Sequence, residues 1–464
     1  MLRLFRQYYP IQNIIFFVVE GIIVFSSVLL STALLTAPGS VWFDFFLILR
    51  IAIITLVCQI ALYYNDLYDF QVAVSALEVT VRLTQALGVT AIALAAVYYL
   101  FPVVTIGQEV FLLSILFMMV FIIGWRVLYI IVLNKGLLNL NVFILGTGEL
   151  AMAIIHEIQR RIDCGYSIKG IIPEKDELLD NGSFAGELLL TTGIDGLSRV
   201  ARQSNIKKIV VALKESRGVF PTKALLDCRV AGIDILEGNT FYEMLTGKLL
   251  VKRINPSWLI FSDGFRVTRM KKIMKRSGDL VLSLVLLVAL LPVFLLVGVL
   301  IKLESPGPVF FSQKRVGQWK KEYWMHKFRS MVKDAEKLTG PVWAQSNDQR
   351  ITRVGSLIRK CRIDELPQLW NVLKGNMSLV GPRPERKHFT DELEELIPYY
   401  TERFVVKPGI TGWAQVCYDY GASVDDATEK LNYDLFYIKN MSGILDALII
   451  LRTIKTVLFG RGAR

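Results

Sequence analysis

The sequence predicts a membrane protein of α plus α/β class, and three observations carry that prediction. Hydrophobic residues make up 53% of the 464 positions, more than an ordinary soluble chain carries. Four apolar runs, each near the ~20 residues needed to cross a bilayer, precede Lys135. A fifth run, near Pro292, has basic residues on both flanks. The chain therefore divides into a four-helix transmembrane bundle (1–137), an α/β domain (138–262), a basic segment with a proline-kinked re-entrant membrane helix (263–303) and a small α+β domain (304–464).

A net charge of +12 suits anionic lipid and phosphorylated substrates. Nucleic acid would account for the charge but not for the hydrophobic runs, so it is not expected as a partner. Cys58, Cys164, Cys228, Cys361 and Cys417 show no CxxC spacing, and His156, His326 and His388 are isolated. Neither a disulfide framework nor a zinc site is indicated. No cleavable signal peptide is expected, because the first apolar run is long enough to span.

The bundle runs are Ile11–Leu35, Trp42–Tyr64, Val79–Phe101 and Val110–Leu133. Arg3, Arg6, Arg82 and Lys135 lie on one side of them, and the connections 36–41 and 102–109 carry no Lys or Arg. The positive-inside rule puts both ends of the bundle in the cytoplasm. Glu20, Arg50 and Arg126 fall inside the runs. Charges at that depth are costly, and interhelical pairing that fixes the bundle explains them better than a transport path.

Asn141–Leu145 reads as a short apolar strand. It leads into Gly146-Thr-Gly148-Glu-Leu-Ala151 and a helical stretch to Arg161, the G-x-G-x-x-A form of a dinucleotide fingerprint. Further strands at Ser167–Ile172 and Lys208–Leu213, with helical patterns at Leu197–Gln203 and Thr222–Val230, give a Rossmann-like, doubly wound domain. Glu174 is the candidate ribose acid, but Pro173 precedes it and the spacing is loose. The expectation is a nucleotide-binding shape, with Gly146 and Gly148 at its phosphate loop, that is empty or holds a regulator.

The run Leu280–Leu303 is interrupted by Pro292, which removes a helix hydrogen bond and kinks the chain. With basic flanks on both sides, a helix that enters one leaflet, bends and returns satisfies the charge rule where a straight crossing would not.

Arg359-Lys-Cys-Arg-Ile-Asp364-Glu365-Leu-Pro-Gln-Leu-Trp-Asn-Val-Leu-Lys-Gly375 places two carboxylates before an apolar pattern, Leu366, Leu369, Trp370 and Leu373, on one face of a short helix. Asp364 is expected as its N-cap and Gly375 as its end. An ionised Asp is a usable nucleophile, and a neighbouring Glu can hold a divalent cation. Arg359, Arg362 and Arg383 supply fixed positive charge suited to phosphate oxygens. Arg383 sits in the rigid turn Gly-Pro382-Arg-Pro384.

Asp364 through Pro384 resembles the bacterial sugar transferases known as polyprenyl-phosphate glycosyl-1-phosphate transferases, in their large form with an N-terminal membrane bundle. The resemblance follows the domain order of the chain, with its specific motifs in residues about 275–460. It implies transfer of a sugar-1-phosphate from a UDP-sugar to undecaprenyl phosphate at the bacterial inner membrane. In that reading Asp364 is the nucleophile, Glu365 holds Mg2+, and Lys327 (of Lys-Phe-Arg-Ser-Met331), Arg359 and Arg383, with Pro382 and Pro384 framing the last, bind phosphates. A re-entrant helix broken at Pro292 is implied too, as are a cytoplasmic catalytic domain, membrane lipid as a partner and a homodimer. Val406-Lys-Pro-Gly-Ile-Thr-Gly-Trp-Ala-Gln-Val416 also matches. Asn376 replaces a usual acid, and Cys417–Ser423 and the C-terminal tail resemble the exopolysaccharide and PEP-CTERM-associated subgroup. Ile444–Phe459 is expected on the membrane surface or in the core.

Two other readings are weaker. An NAD-dependent nucleotide-sugar epimerase or dehydratase needs a Tyr-x-x-x-Lys pair, yet Tyr166 is followed at that spacing by Gly170 and Tyr242 by Thr246. A non-catalytic scaffold of a polysaccharide export complex leaves Asp364, Glu365, Arg359 and Arg383 without a purpose. No D-x-D motif occurs, which argues against the common metal-dependent glycosyltransferase site.

Overall fold

The computed structural model describes residues 2–4, 7–9, 11–35, 45–68, 76–173, 196–213, 220–254, 264–265, 268–332, 350–418, 421 and 423–458. It divides into two compact units, one running to Leu245 and the other from Thr246 onward. Glu174 lies outside the described residues.

Two short strands, β1 (Leu2–Leu4) and β2 (Gln7–Tyr9), precede four long helices: α1 (Ile11–Leu35), α2 (Phe45–Tyr64), α3 (Ala76–Leu100) and α4 (Gln108–Asn134). All four are long and apolar enough to cross a membrane. Val24, Val28, Ile54, Leu62, Leu83 and Ile122 form their shared core, while Ile22, Ile92 and Leu112 face outward, as lipid-facing side chains do. Glu20 of α1 and Arg126 of α4 meet at 2.6 Å with both side chains buried. Arg126 also donates to the Leu67 carbonyl at 2.7 Å. Two of the three in-run charges thus form the interhelical ion pair that the sequence reading expected, while Arg50 on α2 is half-buried.

The α/β part has four parallel strands in the order β4-β3-β5-β6: β3 (Leu140–Leu145), β4 (Tyr166–Ile172), β5 (Lys208–Val211) and β6 (Asp234–Glu237). Helices α5 (Glu149–Arg160), α6 (Leu197–Gln203), α7 (Thr222–Val230) and α8 (Gly238–Thr246) accompany them. Val142, Phe143, Ile144 and Leu145 are all fully buried, the pattern of a central parallel strand covered on both faces. The sequence reading did not include β6 and α8.

The second unit opens with α9 (Arg269–Ala289) and α10 (Leu291–Glu304), which meet at a 59° bend. Pro292 sits in the first turn of α10. Its ring and missing N–H end the preceding helix just before it. The hairpin β7 (Phe310–Val316) with β8 (Glu322–Phe328) follows. Then come α11 (Arg353–Lys360), α12 (Gln368–Lys374), β9 (Ser378–Val380), α13 (Lys387–Leu396), β10 (Gly409–Thr411), α14 (Trp413–Cys417), α15 (Val424–Asn440) and α16 (Gly443–Leu458). Strands β9 and β10 pair in parallel. The core gathers Leu369, Val372, Val380, Trp413, Leu435 and Tyr437.

Helix α9 is tied into this unit by side chains. The Asp279 carboxylate accepts from Ser378 Oγ at 2.7 Å and from the Leu379 N–H at 3.2 Å. Arg276 donates to the Val372 and Leu373 carbonyls at 2.6 and 2.9 Å, where the negative end of α12 favours a cation.

Candidate active site

Lys360 ends α11, and Arg362 takes φ 53° in the left-handed region, turning the chain sharply. The next three residues, Ile363–Glu365, form a single 3-10 turn. Ile363 and Leu366 pack into a cluster with Val297 and Ile301 of α10 and Phe328 of β8. The two carboxylates are therefore seated at the foot of the bent helix pair by the apolar residues on either side of them.

Two expectations are corrected here. Asp364 is not the N-cap of α12; Pro367 holds that position without a side-chain cap. Proline has no N–H to lose, and its preset φ starts the helix, so the carboxylates stand one turn ahead of it. Trp370 is not on the buried face either: it is exposed, while Gln368, Leu369, Asn371 and Val372 are buried. Gly375 ends the helix in the left-handed region, as expected.

Glu365 Oε1 accepts from Lys327 Nζ and from Arg383 Nη2, each at 3.0 Å. Arg362 Nη1 lies 3.8 Å from Oε2. Burial opposes the charge on Glu365, but Lys327, Arg383 and Arg362 outweigh it and hold the carboxyl well below its usual range. Asp364 is nearly as buried, yet among the described residues its carboxylate accepts no hydrogen bond. Burial pushes its carboxyl up; Lys327 pulls against that and the Glu365 charge adds to it. Burial also pushes the Lys327 amine down, against the pull of Glu365. The two neighbouring acids thus part in character: one is locked in ion pairs, the other is buried without a hydrogen bond among the described residues.

Arg359 Nε donates to Ser330 Oγ at 2.9 Å, and its charge reaches Asp364. Each residue of the Gly-Pro-Arg-Pro turn is held in place. The Gly381 N–H donates to Thr411 O, Pro382 O accepts from the Gly409 N–H, and Arg383 O accepts from Arg403 Nη2, at 2.9, 2.9 and 3.0 Å. Pro384 is buried. Arg403 is itself held by Tyr400 Oη at 2.6 Å and Asp434 at 2.8 Å.

The sequence reading missed Arg403, Asp434 and Asn371. Asn371 accepts from the His326 N–H at 3.0 Å and donates to the Trp324 carbonyl at 2.7 Å, clamping the strand that carries Lys327. An amide on the buried side of an apolar helix was the available signal. Trp413 is buried, stacks on Phe436 and donates to the Gly247 carbonyl at 2.7 Å, a packing role. In the first unit, Gly146 has φ 118°, and a Cβ there would come within 2.4 Å of the Ala212 carbonyl; Gly148 caps α5. The first fingerprint glycine serves close packing.

Among the described residues no three His, Cys, Asp or Glu side chains gather as a metal site. The Asp364 carboxylate, with no hydrogen bond among the described residues, and the neighbouring Glu365 carboxylate are the donor types that a magnesium ion takes, one or two carboxylates with phosphate oxygens and water completing its shell.

Residues 270–460 match the family model described as bacterial sugar transferase. The UDP-N-acetylgalactosamine-undecaprenyl-phosphate N-acetylgalactosaminephosphotransferase of Aeromonas hydrophila is 44% identical over 52% of this chain and 56% of its own. The undecaprenyl-phosphate glucose phosphotransferase of Komagataeibacter xylinus is 34% identical over 70% and 60%. The exopolysaccharide production protein PSS of Rhizobium leguminosarum bv. phaseoli is 42% identical over 40% and 95%. The chain thus spans less than two-thirds of the first two and nearly all of the third.

Proposed function

Because the chain belongs to the bacterial sugar transferase family, we propose that it is a phosphoglycosyl transferase moving a sugar-1-phosphate from a UDP-sugar to undecaprenyl phosphate. The observation that carries this reading is the split dyad: Asp364 without a hydrogen bond among the described residues, with Glu365 pinned by Lys327 and Arg383.

In the first step an Asp364 carboxylate oxygen attacks the sugar-bearing phosphorus. The bond from that phosphorus to the bridging oxygen breaks, and UMP leaves with the electron pair. In the second step a phosphate oxygen of the lipid attacks the same phosphorus. Carboxylate leaves, and the product is the polyprenyl-diphospho-sugar. Arg359, Arg383 and Lys327 neutralise the phosphate oxygens, and Glu365 keeps Lys327 and Arg383 aimed. Mg2+, held by Glu365 and the diphosphate, would supply further charge neutralisation.

Residues 138–262 are read as Rossmann-like from their parallel strand order, with no part in the reaction. The bent pair α9–α10 is read as re-entrant, with Pro292 at its turn. The bundle ends and the second unit then lie on the cytoplasmic side of the inner membrane. This places the dyad beside both the soluble nucleotide and the lipid phosphate. The positive-inside pattern and the 59° bend support that placement.

The test uses membranes holding the full chain, undecaprenyl phosphate, Mg2+ and a panel of UDP-sugars that includes UDP-glucose and UDP-N-acetylgalactosamine. One sugar should release UMP, and Asp364→Asn should lower that release by on the order of 10⁴-fold or more. Ample UMP from the variant would sink the nucleophile assignment.

A further inference from the structure

Two tryptophans of the second unit stand in the open: Trp324 on β8 is 56% exposed and Trp370 on α12 is 51% exposed. Each carries a lysine ammonium over its ring, Lys314 at 5.6 Å and Lys374 at 5.5 Å. They sit on adjoining elements, because Asn371, next to Trp370, bonds the backbone of Trp324 and His326. Residues opposite one another in an antiparallel pair share a face. The pairs Phe310 with Phe328, Ser312 with His326 and Lys314 with Trp324 therefore make one face of the hairpin, and Lys327 lies on the other. This face continues into the bent helix pair: Phe310, half exposed, stacks on Phe328 at 5.3 Å, and Phe328 packs on Phe294 of α10 at 5.1 Å.

We propose that this face of the β7–β8 hairpin, with the adjoining face of α12, docks on the headgroup layer of an anionic bilayer. The proposal rests on the reading of α9–α10 as a membrane element. An indole with an apolar body and a polar N–H partitions to the membrane–water boundary. A lysine beside it meets lipid phosphate while its stem covers the ring. Among the described residues the acid on this face is Glu322, 3.8 Å from Lys314, and the second lysine, Lys374, gives the described face a positive balance. The apolar end of the strip runs into the helix pair, so the occupant with the matching chemistry is the lipid that surrounds that pair. Strand β8 carries Lys327, and α12 follows the dyad directly, so the docked face sets the height of Asp364 above the headgroups.

The experiment places the full chain in nanodiscs containing brominated phosphatidylcholine, with or without phosphatidylglycerol. It compares the parent with Trp324→Phe and Trp370→Phe. The emission lost in each variant should be the emission that bromolipid quenches. Phosphatidylglycerol should deepen that quenching in the parent but not in the double variant Lys314→Gln/Lys374→Gln. If acrylamide quenches the lost emission and bromolipid does not, the face looks into water and the proposal fails. If neither quenches it, protein covers the face, as in docking of a second copy, and the proposal also fails. Leu295→Trp on α10 separates the premises. Quenching there with none at Trp324 or Trp370 removes the docking face alone, whereas no quenching at position 295 removes the membrane reading beneath it.

Discussion

Arg403→Met tests how the phosphate-binding turn is held. Arg403 and Asp434 meet at 2.8 Å with side chains 7% and 2% exposed, so solvent screens the pair little. Deleting one partner of such a buried pair costs ~3–5 kcal/mol, because the other charge is stranded. Even with Arg403 present, burial pushes the Asp434 carboxyl up to about 6. Without Arg403 the value climbs further. The sign follows from linkage. A folded value above the unfolded one, ~3.9, makes a contribution that is whole below the unfolded value and lost as pH rises through the folded one. In the parent that loss is complete near pH 6, whereas in the variant it continues to higher pH. The stability deficit of Arg403→Met should therefore widen by ~1.4 kcal/mol per pH unit above pH 6, up to the variant's own value. Thermal unfolding of the purified chain, followed at pH 6, 7 and 8, reads this directly. A deficit that stays constant or narrows with rising pH would refute the reasoning. Arg403→Lys keeps the charge but lacks the planar fork that spans Tyr400, Asp434 and the Arg383 carbonyl. It should fold more stably than the methionine variant yet lose about tenfold or more in kcat/KM, the worth of one charge-assisted hydrogen bond.

Lys327→Met removes the largest opposing charge from Asp364. The acid limb of the kcat/KM profile, which reports the ionised nucleophile, should move to higher pH; a limb that stays put would separate Lys327 from Asp364. Asn371→Leu strands the His326 N–H and the Trp324 carbonyl, at ~1–3 kcal/mol for each group left buried, and should lower activity through Lys327; unfolding midpoints and UMP release check both. Reporter tags fused before Arg269 and after Arg464 should both read cytoplasmic, and a periplasmic signal at the second would remove the re-entrant reading.

Much of this was legible along the chain because it is encoded locally. Helix length, apolar run and flanking charge specify α1 to α4, and each can be read from a window no longer than the helix. That charges inside the apolar runs would pair between helices was legible because lipid leaves buried charges few other partners; that Glu20 meets Arg126, and not Arg50, came from the packing. Pro292 marked the bend, since a ring and a missing N–H act on their own helix. The dyad, the rigid basic turn and the strand lysine were recognisable as motifs.

What the sequence left unsaid is who touches whom. Lys327 and Glu365 are 38 residues apart and Arg403 and Asp434 are 31 apart. No periodicity spans such gaps, and only packing brings these groups within 3 Å. Spacing suggested that Asp364 would cap a helix and that Trp370 would be buried; the tertiary structure instead put the dyad on its own turn and left the indole outside. From the residues alone came the kinds of charge the site would hold. Which acid is locked in ion pairs was decided by the fold, because an ion pair depends on distance and burial, and a linear chain specifies neither.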